Sequence, residues 1–141
     1  MSGLQGRRVF AVCRDAGIAR ARPEPYGAVA RSAPPHAVAA NGVLDLGTIG
    51  DLQEILYSLI RVGSVRLIVD VSRVRLCDAA AMSGLVQVSR RCQERGGWLR
   101  LVQPVGMVAR AFAIVSLGLD VEIYPTVTAA LAGAPEDRIM R

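Results

Sequence analysis

Leu67-Ile-Val-Asp-Val-Ser-Arg-Val-Arg-Leu-Cys-Asp-Ala-Ala-Ala-Met-Ser-Gly-Leu85 is the stretch on which the reading of this chain turns. Val65 to Val71 is β-branched and largely apolar except at Arg66 and Asp70, the composition of a central strand with neighbours on both sides. Asp78 then precedes three alanines, an N-cap residue in front of strong helix formers. The pattern predicts a buried strand, a short loop and a helix from about Ala79 to Arg95, with Met82, Leu85, Val86 and Ser89 turned inward and Gly96-Gly97 as its stop.

Upstream, Asp51 begins a stretch in which Leu52, Ile55, Leu56, Leu59 and Ile60 recur at three- and four-residue steps, the stripe of an amphipathic helix ending before Gly63. Before it, His36 to Ala40 reads as a strand and Asn41-Gly42 as a turn leading into Val43 to Leu46. Downstream come a strand at Trp98 to Val102, a helix at Met107 to Leu117, a strand at Val121 to Tyr124 and a short helix at Val127 to Leu131. Arg8 to Cys13 adds one more strand candidate. Strands alternating with helices of these lengths predict an α/β fold, a mixed and mostly parallel sheet of four or five strands packed with about four helices. A chain of 141 residues accommodates one such domain, expected at 36–132. It is preceded by a basic Pro/Ala/Arg-rich segment, 1–35, expected to be mobile apart from the one strand, and followed by a tail, 133–141.

All 17 basic residues are arginine, and residues 1–31 hold six of them against Asp15 and Glu24, so this segment carries +4 of the net +5. Its excess lies among Pro23, Pro25, Pro34 and Pro35, which marks a solvated arm rather than a basic domain. No run approaches the ~18 apolar residues of a membrane span. Cysteines at 13, 77 and 92 form neither a CxxC pair nor an even set, and a reduced, cytoplasmic protein is expected. The sole histidine, His36, falls at a strand start remote from the Asp78 loop, which leaves no Ser-His-Asp or Cys-His arrangement. A cysteine phosphatase built on Cys77 would need an arginine six residues later, where Ser83 stands. No catalytic residue, metal or cofactor is expected.

Four features in order, Gly42-Val-Leu-Asp45, Val69-Asp-Val-Ser72, the Asp78 segment and Arg95-Gly-Gly-Trp-Leu-Arg-Leu101, resemble the anti-sigma-factor antagonists of the STAS domain family over about residues 36–132. The resemblance implies a single STAS-like domain and a non-enzymatic regulator. In such proteins the helix start after the central strand docks on an anti-sigma factor, typically a serine kinase, which then releases its sigma factor. Members usually read Asp-Ser-Ser-Gly-Leu there, and a serine accepts phosphate from the partner kinase. This chain reads Asp78-Ala79-Ala80-Ala81-Met82, and the acceptor position falls on Ala79. A helix N-terminus accommodates a phosphate within the antagonist, while the added charge and bulk oppose docking in a tight interface. With no hydroxyl at Ala79 or Ala80, the site is expected to stay unmodified, and binding to be constitutive or set by abundance or another signal.

By the resemblance, the partner surface comprises Asp45, Asp78, Ala79, Ala80, Ala81, Met82 and Ser83. Asp78 also reads as the helix N-cap, and Asp45 as a turn residue at a strand end. Ser83, the nearest hydroxyl, lies one turn into the helix, where it should face sideways or pack. Ala81 in place of glycine favours helix by about 1 kcal/mol, and Met82 in place of leucine is close to volume-conserving. Asp70 and Ser72 read as shaping the loop. Cys77, beside a helix terminus, raises the idea of a thiol switch, against which stands its reading as a small buried hydrophobe. The first alternative function is a STAS subunit of a lipid transporter or scaffold that holds an ABC ATPase with the same helix face. A nucleic-acid-associated protein whose basic arm contacts phosphates ranks last. A homodimer through the apolar surface of Ala79, Ala80 and Met82 is a further expectation.

Overall fold

Beta-branched and apolar residues keep the chain extended from Arg66 to Cys77, well past the Val71 at which the sequence pattern weakens. The computed structural model describes the backbone of residues 10–13 and residues 35–106, 108–110 and 121–138. Its five strands are β1 (Phe10–Cys13), β2 (His36–Leu44), β3 (Arg66–Cys77), β4 (Trp98–Val102) and β5 (Glu122–Tyr124). They form one sheet in the order β1-β2-β3-β4-β5. Strand β1 runs antiparallel to β2, and β2 to β5 are mutually parallel. The helices α1 (Ile49–Arg61) and α2 (Ala79–Glu94) connect β2 to β3 and β3 to β4. Helix α3 (Val127–Ala132) follows β5, with a 3-10 turn at Pro135–Asp137. Residues 106 and 108–110 are also helical, and the remainder of the helix expected at Met107 to Leu117 lies outside the described residues. The α/β fold with a mostly parallel sheet is therefore as expected. The predicted mobility of segment 1–35 lies outside the described residues apart from β1 and Pro35.

Two local expectations are corrected. Asn41-Gly42 is not a turn, because β2 continues through it and pairs with β3 on either side in the same direction. The residues after Ser72 are strand rather than loop. Both errors have one cause: β3 carries two extra residues against its partner. Asp70 to Arg73 opposes Ala39 to Asn41, three steps against two, and Val74 to Leu76 opposes Gly42 to Val43, two against one. Such bulges break the period-2 alternation and interrupt the ladder locally, and the pairing resumes beyond each one. The first is held by the Asp70 carboxylate, which accepts a hydrogen bond from the Ser72 amide at 2.9 Å. Gly42 meets the distortion with φ +86°, a conformation open to glycine.

Helices α1 and α2 cover one sheet face. Ile49, Leu52, Leu56 and Ile60 of α1 are buried at steps of three and four, joined by the partly buried Ile55 and Leu59. Full burial of one such side chain stabilises by about 1.5–3 kcal/mol. The helix begins two residues before Asp51, because the Asp45 carbonyl accepts from the amides of Thr48 and Ile49. On α2 the buried row is Ala81, Leu85, Val88 and Cys92 with Met82 and Ser89, while Val86 is only half-buried. Helix α2 stops at the two glycines: the Gly96 amide donates to Gln93 O and the Gly97 amide to Cys92 O, with Gly96 at φ +83°. Gly97 is also needed for space, since a Cβ there would lie 1.9 Å from the Val65 carbonyl oxygen.

The second face buries Ala37, Ile68, Val102 and Tyr124 beneath Ala130 of α3. Arg100 ties this layer together. It donates to Ala130 O at 2.8 Å, lies 3.6 Å from the Trp98 ring centre, and places Nε 3.3 Å from Glu122 Oε1.

Candidate functional site

The C-terminal ends of β2 and β3 lie side by side, Leu44 opposite Cys77, so the residues beyond each strand meet. Asp78 is the joint. Its backbone is extended (φ −91°, ψ 178°), and its carboxylate serves two elements at once. Oδ1 accepts from the Ala81 amide at 2.9 Å, capping α2, and Oδ2 accepts from the Leu46 amide at 3.3 Å, holding the turn that leads into α1. The Asp78 amide donates to Leu44 O at 3.1 Å. Two segments more than thirty residues apart in sequence thus share one corner.

Asp45 shapes the other half. Its Oδ1 accepts from the amides of Gly47 at 2.9 Å and Thr48 at 3.1 Å, the pattern of an Asx turn. The buried Thr48 hydroxyl donates to Val43 O at 2.9 Å and accepts from the Asp45 amide at 2.9 Å. Both aspartates are therefore turned onto backbone amides of this corner.

The seven residues of the expected partner surface separate by burial. Ala79 and Ser83 are exposed, and Ala80, Asp45 and Asp78 are half-buried. Ala79 and Ser83 are four apart on α2 and share a face. Ser83 does not pack; it is exposed to solvent. Ala81 and Met82 belong to the core beneath α2, so they support the corner from inside.

Sequence reasoning passed over three side chains here. Leu46 is 76% exposed and Leu76 47% exposed, and Arg75 on β3 is exposed as well. Leu46 could have been found, because a leucine within Asp45-Leu46-Gly47-Thr48 sits among turn residues rather than on a strand or helix stripe. Leu76 could not, because its outward direction depends on the bulge at Arg75.

Cys77 is buried, and its thiol is pushed up from 9.0 to about 12 by burial and then by the Asp78 charge. It is protonated at neutral pH and a poor nucleophile, which removes the chemical basis of a thiol switch. Burial also raises Cys92 to about 12. His36 lies at the far end of β2, roughly 26 Å away along nine residues, where Ser64 Oγ is 3.0 Å from its Nδ1. Among the described residues no group of three or more His, Cys, Asp or Glu could hold a metal ion, and no helix is long and apolar enough to cross a membrane.

This fold and corner define a class. The model of the STAS domain matches residues 29–130, and the chain belongs to the STAS domain family. Among solved structures it is similar to an anti-sigma factor antagonist from Mycobacterium paratuberculosis, with 19% identity, a TM-score of 0.63, and coverage of 70% of this chain and 84% of that one. The anti-sigma factor antagonist SpoIIAA in its unphosphorylated form is similar over 89% of this chain and 97% of its own, with 15% identity and a TM-score of 0.63. The tm1081 protein of Thermotoga maritima matches with 20% identity and a TM-score of 0.61, over 69% of this chain and 86% of that one. At these identities the likeness establishes the fold. No curated protein matches the sequence.

Proposed function

We propose that this chain is an antagonist-like regulator that binds an anti-sigma factor of the serine-kinase type through the start of α2 and the β2–α1 turn, without a phosphoserine switch. The observation that carries this reading is the outer surface of the corner. Exposed Ala79 and half-buried Ala80 form the first turn of α2, beside the exposed Leu46 whose amide Asp78 holds in place. A phosphorylated serine there would add about −1.5 to −2 charges and oppose docking. Two methyl groups offer no oxygen for phosphoryl transfer, so the docking state is permanent and regulation passes to abundance or to the partner. The protein acts by contact alone, as a cytoplasmic regulator with no chemistry of its own.

The test is titration of the purified full chain against each kinase-type anti-sigma factor of its host, with ATP present and intact mass recorded. Binding to one of them with no gain of a phosphate mass is the expected result. The Ala79→Ser or Ala80→Ser variant should gain one phosphate under the same conditions and bind more weakly once modified. A phosphate on Ser83 of the wild-type chain, or recovery of only an ABC ATPase from the host, would overturn the reading.

A further inference from the structure

The sheet is not uniform along its length. Strand β3 pairs with β4 only as far as Asp70, opposite Val102, yet continues for seven residues beside β2 alone among the described strands. This two-stranded ribbon leads straight into the Asp78 corner. Its side chains divide sharply: Val74 and Cys77 are buried in the core, whereas Arg73, Arg75 and Leu76 are exposed. Neither arginine has an ion-pair partner among the described residues, although arginines elsewhere in the fold, Arg91, Arg100 and Arg138, do pair with carboxylates. The acidic groups at this end, Asp45, Asp70 and Asp78, accept hydrogen bonds from backbone amides, and none of them forms an ion pair with Arg73 or Arg75. The ribbon and corner thus expose two guanidiniums, of Arg73 and Arg75, and two leucines, Leu46 and Leu76.

We infer that the exposed side of the β2–β3 ribbon is the charge-selecting part of the anti-sigma-factor contact, with Arg73 and Arg75 meeting carboxylates on the partner and Leu46 and Leu76 covered at its apolar centre. This rests on the function proposed above and adds the chemistry of the partner: a protein surface with an apolar patch flanked by acidic side chains. Three features support it. The ribbon is continuous with the proposed docking corner. The charged side chains that the ribbon exposes, Arg73 and Arg75, are of one sign, so the surface that meets them is acidic, and a basic one is turned away. Exposed Leu76 follows Arg75 directly and precedes the Asp78 cap by two residues, and exposed Leu46 is held to that cap through its amide, so apolar side chains accompany the charge toward the corner. A fixed pair of charges also suits a chain whose helix start has no modifiable group, because selection among several anti-sigma factors must then be written into side chains rather than into a phosphate.

The experiment measures binding of four full-length proteins to the host's purified kinase-type anti-sigma factors: wild type, Ala80→Arg in the corner, Arg73→Glu/Arg75→Glu, and Arg73→Lys/Arg75→Lys. All substitutions are at exposed or half-buried positions, and matched urea curves confirm equal folding. The charge reversal should weaken binding roughly tenfold or more at about 50 mM salt, less at about 300 mM, while the lysine pair stays within about threefold of wild type. If Ala80→Arg abolishes binding but the reversal changes it less than about twofold, the ribbon has no part in the contact and the corner alone docks the partner. If no anti-sigma factor binds, or Ala80→Arg is also without effect, the docking reading falls and takes this inference with it.

Discussion

Replacing Asp78 by alanine removes two hydrogen bonds that end in different elements, and the size of the loss follows from the geometry. The Oδ1 bond to the Ala81 amide, at 2.9 Å, is a regular N-cap and is worth about 1 kcal/mol. The Oδ2 bond to the Leu46 amide is longer, at 3.3 Å, and solvent-exposed, so it contributes about 0.5 kcal/mol. Loss of a negative charge at the start of α2 adds about 0.5 kcal/mol. The expected destabilisation of Asp78→Ala is therefore about 2 kcal/mol. Asp78→Asn can keep the cap with its carbonyl oxygen but offers an NH2 group toward the Leu46 amide, and should lose about 1 kcal/mol. Urea unfolding followed by far-UV circular dichroism measures both. With a slope of about 2 kcal/mol per molar, the midpoints should fall by about 1 M and about 0.5 M, with slopes unchanged. Amide exchange separates the two contributions, since Leu46 should lose protection in both variants and Ala81 only in the alanine variant. Equal midpoints for wild type and Asp78→Ala would refute the role of this carboxylate in joining the two halves of the corner.

Gly97→Ala should be far more damaging than its size suggests, costing about 3 kcal/mol or more, because the added methyl would meet the Val65 carbonyl that also accepts from the Trp98 amide; thermal unfolding against wild type checks it, and an unchanged Tm would contradict the observed approach of α2's exit to β3. The two buried thiols make stability fall at alkaline pH. Their folded values are raised from 9.0 to about 12, so the folded state keeps both protons where the unfolded chain releases them; the stability they contribute is full below about pH 9 and is lost as pH rises toward 12. Urea midpoints between pH 8 and 10.5 should decline, and the decline should be shallower in Cys77→Ala/Cys92→Ala, whose starting stability is lower. Both thiols should resist alkylation at pH 7.5 until urea exposes them.

The regular elements were legible because their signals are local. The three- and four-residue steps of Leu52, Leu56 and Ile60, Asp78 ahead of three alanines, and Gly96-Gly97 each act within one or two turns of chain, and the structure has a helix, an N-cap and a helix stop at those places. The length of β3 was not legible. Alternation is the strand signal, and it is lost at Ser72 and Arg75, where β3 holds one residue more than β2 opposite; a bulge is defined by a partner strand, and the partner residues are 31 to 33 positions away in the chain. The same shift reassigns side chains to faces, which is why Leu76 emerges as exposed and Val74 as buried.

The candidate corner shows the division most clearly. The amino-acid order alone is enough to say that no hydroxyl stands at positions 79 and 80 and that an aspartate precedes the helix, because these are matters of covalent chemistry. It could not say that Asp78 reaches the Leu46 amide, that Leu46 is left in solvent, or that Ala81 and Met82 are interior. Those facts arise when β2 and β3 pair in parallel and bring Leu44 opposite Cys77, for a parallel neighbour is supplied by a distant part of the chain through a crossover helix. Composition limits which chemistry is available, and the packing of remote segments determines which of those groups share a surface.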